Sequence, residues 1–314
     1  MVDHENPSRE GALSLRVHAG IDIGGTTTQV VLCDPFGIVV ARASAATPAR
    51  AGGDAMVQTA SEIVHRLARS AHTTLVSIGV GAAGVVERRS GTILEASDSF
   101  VDWAGYPLGA KLAEIFHVPV IVENDVNAFL SGEVLCGGLR QERNALGITL
   151  GTGVGGALWI DGVLWPGPHD SAGEIGHIPG FGDEACTCGG QGHLETIASG
   201  TGIERFYTAQ TGVLRSAREI AERTTYDGDA QETYRRAAHG IARGILITVG
   251  LVDVTTVVIG GGVSGAWTVL SPLLREALAA ETSVNKTPIR VEPSLLGSDA
   301  VALGAAAIAR SAMQ

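Results

Sequence analysis

"LRVHAGIDIGGTTTQVVLCDPFG", residues 15 to 37, reads as two apolar strands joined at a Gly-Gly-Thr turn, with Asp34-Pro35-Phe36-Gly37 closing a hairpin. A second run, "NALGITLGTGVGGALWIDGVLW" (144–165), repeats the theme: strand, Gly-Thr turn, strand, Asp-Gly turn. This weak internal repeat suggests two related halves. Between them, "DAMVQTASEIVHRLARSA" (54–71) carries Val57, Ala60, Ile63, Val64, Leu67 and Ala71 at helical spacing, with Asp54 placed as a cap. "LVSIGVGAAGVV" then reads as a buried strand, "YPLGAKLAEIFH" as a helix and "VPVIVEND" as another strand. After the repeat, helices are expected over about 197–220 and 230–252. The strand "TTVVIGGG", the helix "WTVLSPLLREALAAE", the strand "PIRVEP" and the small-residue helix "DAVALGAAAIARSAM" follow. Strands alternating with helices predict an α/β protein of two lobes, with a boundary after Asp125.

Composition agrees with a globular chain. With 314 residues, 45% of them hydrophobic, it can bury a full core, and its length favours two domains over one. A formal net charge of −11 and the absence of a Lys/Arg cluster argue against nucleic acid or an anionic membrane as partner. The opening "MVDHENPSRE" is polar, without the basic-then-apolar pattern of a signal peptide, and no run approaches the roughly 18 apolar residues of a membrane span. A cytoplasmic location is the default expectation. The four cysteines do not form a disulfide framework, and Cys186 and Cys188, one residue apart, suggest metal chemistry.

Three segments fit G-x-G-x-x-G: "GVGAAG" (79–84), "GTGVGG" (151–156) and "GGGVSG" (260–265). A dinucleotide fingerprint also needs a strand before, a helix after and an acid about 20 residues on. The loop at 151 runs into the strand-like "ALWI", and the loop at 260 lacks the acid. No G-x-x-x-x-G-K-[ST] is present. Two turns remain, Gly24-Gly25-Thr26-Thr27 and Gly151-Thr152-Gly153, whose amides and hydroxyls can cradle phosphate. Singly, each is a structural hairpin turn. With Asp22 placed to hold a magnesium-bound water, they favour a shared phosphate site.

"VENDVNAFLSGE" (122–133) sets Glu123, Asn124, Asp125 and Asn127 at the end of an apolar run. Buried polar groups need partners, so these residues are either a helix cap, with Asp125 and Asn127 capping, or a site.

At this point the chain resembles a known family. "IDIGGTTTQVVLCD", "VENDVNAFLSGE", "ITLGTGVGGALWIDG", "AGEIGH", "CTCGGQGHLE" and "VVIGGGVS" occur in the order found in ROK-family sugar kinases of the actin-like, hexokinase-like ATPase superfamily. The likeness spans roughly residues 17 to 310. It implies two actin-like (ribonuclease H-like) α/β domains flanking a cleft: a tail over 1–14, a first domain over 15–125 to which a C-terminal helix at about 300–314 returns, and a second over 126–299 carrying a zinc motif. It implies Asp125 as the catalytic base and Asn124, Glu174, His177 and Glu195 as sugar contacts. A carboxylate at a strand end suits the first role, because it can take the proton of an alcohol attacking a γ-phosphoryl group. Asp22, Gly24, Gly25, Thr26, Thr27, Gly151, Thr152, Gly153, Gly260, Gly261 and Gly262 would serve magnesium-ATP. His177, Cys186, Cys188 and His193 would hold a structural zinc, with His193 standing where the family usually has cysteine; two sulfurs and two nitrogens suit tetrahedral zinc.

The departures bear on the sugar. "ASDSFVDW" offers Ser97, Asp98 and Ser99 before Trp103, where family glucokinases carry an asparagine; Ala83 stands at a common proline, and Thr27 at a common Lys or Asn. Trp103, Trp159, Trp165 and Trp267 read as packing residues.

The leading expectation is ATP-dependent phosphorylation of a hexose 6-hydroxyl, glucose first, with mannose, N-acetylhexosamine or fructose as alternatives, in a homodimer or dimer-based oligomer. Against it stand a sugar-sensing regulator, for which the roughly 16 residues before the first strand are too few for a helix-turn-helix, and a non-catalytic sugar binder, which needs no phosphate machinery. Closure of the cleft is expected, because open water would divert ATP to hydrolysis.

Overall fold

The computed structural model describes residues 14–281 and 286–313. The polar tail expected over 1–14 lies outside them, Ser14 excepted. The chain opens with β1 (Leu15–Ile23), β2 (Thr27–Cys33), β3 (Val39–Ala46), α1 (Gly53–Ser70), β4 (Thr73–Ala82), the hairpin β5 (Val85–Glu87) and β6 (Thr92–Glu95), α2 (Leu108–Phe116) and β7 (Val120–Asn124). Next come α3 (Asp125–Leu135), β8 (Ala145–Leu150), β9 (Val154–Ile160), β10 (Val163–Leu164), α4 (Glu195–Ala198), α5 (Gly200–Thr211), α6 (Ala217–Arg223) and α7 (Gly228–Val252). It closes with β11 (Thr256–Gly260), α8 (Trp267–Ala279), β12 (Arg290–Pro293) and α9 (Ala300–Ser311).

The internal repeat is a duplication of topology. The first five-stranded sheet runs β3-β2-β1-β4-β7 and the second β10-β9-β8-β11-β12. In both, the opening strand pairs antiparallel with the hairpin partner that follows it and parallel with a later strand. The α/β class expected from the alternation is therefore what the chain forms, as two mixed sheets. Among the described residues no helix is long and apolar enough to cross a membrane.

One face of the first sheet presents Val17, Ala19, Ile21 and Ile23 to α1 and α2, forming one core. The other face seats α9, and glycine makes that possible. Gly20 and Gly79 are register partners on β1 and β4. A Cβ on either would lie 1.8 Å from a carbonyl oxygen of α9, of Ala302 and Ala305 respectively. In turn α9 crosses α3 at Gly304 and Gly132, where a Cβ would meet the carbonyls of Ala128 and Ala300. The body of α3 packs Phe129 and Leu130 with Ala145, Ala157 and Trp159 of the second sheet. The opposite face of that sheet is buried beneath α4 to α8.

Several local readings are corrected. Asp54 does not cap α1: Gly52, with φ 94°, occupies the N-cap, and Asp54 accepts a hydrogen bond from the Tyr106 hydroxyl at 2.6 Å. The single helix expected over 197–220 is three, broken where the Ser199 and Ser216 side chains cap new starts and Gly212 closes α5 in the left-handed region. Of the tryptophans read as packing, Trp103 and Trp159 are buried, whereas Trp165 is exposed.

Replacing Gly79 by alanine forces backbone apart at the sheet and α9 junction, and should destabilise by about 2–3 kcal/mol, the upper part of the range for overpacking. Gly228→Ala, at a position with open space around it, should change stability by less than about 0.5 kcal/mol. Urea midpoints of the two variants check both values.

Candidate active site and metal centre

Strands β1, β4 and β7 are parallel, so their C-terminal ends share one edge, with Asp22, Gly81 and Glu123 in register across it. The glycine between the two acids leaves room: a Cβ at Gly81 would touch the Val301 side chain and lie 3.6 Å from the Asp125 Cα. Each of the four polar residues ending β7 has its own partners. Asn124 is the N-cap of α3, accepting from the Val126 and Asn127 amides at 2.8 and 3.1 Å and donating Nδ2 to the Gly84 carbonyl at 3.0 Å. Such a cap contributes about 1 kcal/mol. Glu123, 1% exposed, accepts from Arg88 Nε at 2.6 Å, Asn127 Nδ2 at 2.9 Å and the Asn124 amide at 3.1 Å. Capping thus falls to Asn124, not to Asp125 and Asn127. Asp125 accepts the Val126 amide at 2.9 Å and is half-buried at the strand edge.

Four carboxylates then influence one another in sequence. Burial, and next the charge of Asp125, raise Asp22 to about 7. Burial raises Asp125 to about 6; the Val126 amide opposes the shift and the charge of Glu174 adds to it. Glu174 is also raised by burial, with His177 opposing and Glu195 adding. Asp22, Asp125 and Glu195 are half-buried and Glu174 is exposed, so the arc is open to hydroxyl donors or a cation, and Asp22 and Asp125 fit a magnesium-bound nucleotide on that ground.

Glycines in the 151–156 run position the remaining groups. A Cβ on Gly153 would strike Glu195 Oε2, one on Gly155 would strike Val126, and one on Gly156 would strike the Gly173 carbonyl; Gly176 likewise sits on the Val154 carbonyl. "AGEIGH" is thereby pressed onto β9, which places Glu174 and His177. Glu195 accepts the Val154 amide at 3.1 Å and the Thr187 hydroxyl at 3.0 Å. The turn at Gly24 closes with its amide on the Thr27 carbonyl at 3.1 Å, leaving Gly25, Thr26 and Thr27 exposed; Gly151 donates to the Gly153 carbonyl at 2.9 Å, with Thr152 exposed. In the third run, the Cβ space of Gly260 is filled by Phe129 and that of Gly261 by the Leu150 backbone, while Gly262 faces open space. The 97–99 loop is held by Arg50, which donates to the Asp98 carbonyl at 2.6 Å, and Phe100 lies 3.5 Å from where a Gly25 Cβ would be.

The ligand atoms of His177, Cys186, Cys188 and His193 all lie within 4.8 Å of one another. Cys186 Sγ is 3.4 Å from Cys188 Sγ and 3.6 Å from His177 Nδ1, and Cys188 Sγ is 3.2 Å from His193 Nδ1. Donors around a tetrahedral zinc stand about 3.3–3.8 Å apart, given Zn–S near 2.3 Å and Zn–N near 2.0 Å, so this set fits the ion. Nδ1 of His177 faces the thiols, while Nε2 lies 4.0 Å from Glu174. Arg88 escaped the sequence reading: its partner Glu123 is 35 residues away, and the only signal was an acid that needed one.

Comparison with known proteins agrees. The ROK family model matches residues 18–312. A glucokinase of Halalkalibacterium halodurans is 32% identical, covering 93% of this chain and 94% of its own, and one of Streptomyces coelicolor is 32% identical over 93% and 96%. The crystal structure of a ROK family glucokinase from Streptomyces griseus, in complex with glucose and AMPPNP, superposes with a TM-score of 0.83 at 28% identity, covering 94% of this chain and 99% of that one. The chain belongs to the ROK family.

Proposed function

We propose that this protein is an ATP-dependent sugar kinase that phosphorylates the 6-hydroxyl of a hexose, with glucose the first candidate. The observation that carries the reading is Asp125, a carboxylate at a strand edge beside Asn124, raised by the charge of Glu174 and itself raising Asp22. Its glucokinase relatives and the glucose complex of the Streptomyces griseus protein support the choice of sugar. The first lobe, 15–125 with α9, and the second, 126–299, would flank the substrates.

In the proposed reaction the 6-oxygen attacks the γ-phosphorus, the bond to the β-bridging oxygen breaks, and ADP leaves. The hydroxyl proton passes to Asp125. Glu174, Glu195, the Nε2 side of His177 and Asn124 would accept or share the remaining hydroxyls. A sugar lacking one of them would leave a buried group unpaired. The turns at Gly24–Thr27 and Gly151–Gly153 would bind phosphates through backbone amides and threonine hydroxyls, with the open face at Gly262 toward the nucleoside. Magnesium bound with the nucleotide supplies positive charge to the phosphates, and Asp22 would hold one of its waters. Zinc held by His177, Cys186, Cys188 and His193 would fix the loop from which Glu195 and His177 project.

Asp125→Asn should lower sugar-dependent ADP release by at least about a thousandfold while sugar binding, followed by calorimetry, survives; full turnover in the variant would refute the base assignment. The base acts ionised, and its folded pKa stands near 6. The rate should therefore hold above neutrality and fall tenfold per pH unit well below about 6; a pH–rate profile flat to pH 5 would contradict this. Stripping zinc with a chelator should release about one ion per chain, lower the thermal midpoint and raise the KM for sugar more than that for ATP; metal analysis beside steady-state kinetics reads all three.

A further inference from the structure

An open groove of about 440 Å³, with Glu232 among its lining residues, lies between α7 and the zinc loop, on the side of α4 away from the carboxylates of the candidate site: Glu195 begins that single turn, and Ile197, two residues on, lines the groove. Arg235, His239 and Arg243, four residues apart, line it from one face of α7, and Arg236 joins them. Two of these arginines are matched by carboxylates, Arg235 by Glu232 at 2.7 Å and Arg236 by Glu184 at 2.5 Å. Among the described residues Arg243 has no carboxylate at ion-pair distance; it donates Nη1 to the Gly180 carbonyl at 2.9 Å and lies over the Phe181 ring. A chain of net charge −11 thus keeps a groove in which three arginines outnumber the two carboxylates that pair with them, Glu232 and Glu184, walled in part by Phe181 and Ile197.

We propose that this groove is a second anion site, separate from the catalytic carboxylates, which binds a small phosphate-bearing anion through the guanidinium groups of Arg243 and Arg236. Planar guanidinium forks match phosphate oxygens in pairs. The same two arginines hold the Gly180 carbonyl and Glu184, both in the loop that carries Cys186, Cys188 and His193. An anion in the groove would compete for those contacts, so its occupancy reports to the zinc loop and, across α4, to Glu195.

The test is calorimetry on the full-length, zinc-loaded protein, without magnesium or nucleotide, titrated with inorganic phosphate and with glucose 6-phosphate at matched ionic strength. Saturable binding is expected, weakened about tenfold, or about 1.4 kcal/mol, by Arg243→Met. It should weaken less with Arg235→Met, which removes a third positive charge from the same lining and leaves the Gly180 contact intact. It should persist in Asp125→Asn and in the presence of a non-hydrolysable ATP analogue. Tighter binding of glucose 6-phosphate identifies a phosphorylated sugar as the occupant; equal binding identifies the phosphate group alone. The proposal fails if neither ligand saturates. It fails if the ATP analogue abolishes binding while Arg243→Met leaves it unchanged, which would move the anion to the catalytic cleft. It also fails if the arginine variants change only the sedimentation coefficient, which would make the groove a contact between copies of this chain.

Discussion

Backbone rests on backbone where α9 crosses the first sheet, and the rest of the architecture depends on that contact. Gly20 and Gly79 lie side by side with carbonyls of α9 above them, and Gly304 and Gly132 repeat the arrangement between α9 and α3. The nearest neighbour at each of these four positions is a backbone carbonyl, which cannot give way as a flexible side chain would, so they fix the spacing between sheet and helix. Because α3 begins at Asp125 and its body lies in the core of the second sheet, the same contacts fix how an acid on the edge of one sheet meets groups presented by the other.

The chemistry follows from spacing more than from any single residue. The charge of Asp125, at the start of α3, reaches Asp22 on β1 across Gly81 of β4, which has no side chain to stand between them. Glu174 and Glu195 join them because three glycines let the "AGEIGH" segment and the Gly151–Gly153 turn approach β9 and α4 closely. Isolated carboxylates in water would titrate near 4. Here burial raises Asp125 to about 6, the range that the proposed role of general base calls for.

Much of this was legible in the sequence, and the failures have physical causes. The β1–β2 hairpin, α1 and the β7–α3 junction declared themselves through apolar period and turn chemistry, and the cysteine and histidine spacing pointed to a metal. Strand β3 was not read beyond its turn: "VVARASAA" is an edge strand of small residues, exposed at every second position, with little β-propensity to reveal it. The break at residues 212–216 was written in Gly212 and in the Ser216–Glu219 capping box, but the apolar residues on either side suggested continuity. The glycine runs resembled nucleotide loops because close approach demands glycine whether the neighbour is a phosphate or another strand. Arg88 and Glu123, far apart in the chain, become partners only once the β5–β6 hairpin folds against β7.

His193, standing where the family resemblance leads one to expect cysteine, has an electrostatic meaning. A dication held by two thiolates and two neutral imidazoles would carry no net charge, whereas three thiolates and one imidazole would leave a surplus electron's worth of negative field. That field would fall on Glu195, which is bonded to Thr187 of the same loop, and through it on Glu174. A neutral centre would place no further negative charge beside these two carboxylates. With histidine at this position, a dication held here would act as a scaffold without being a source of charge.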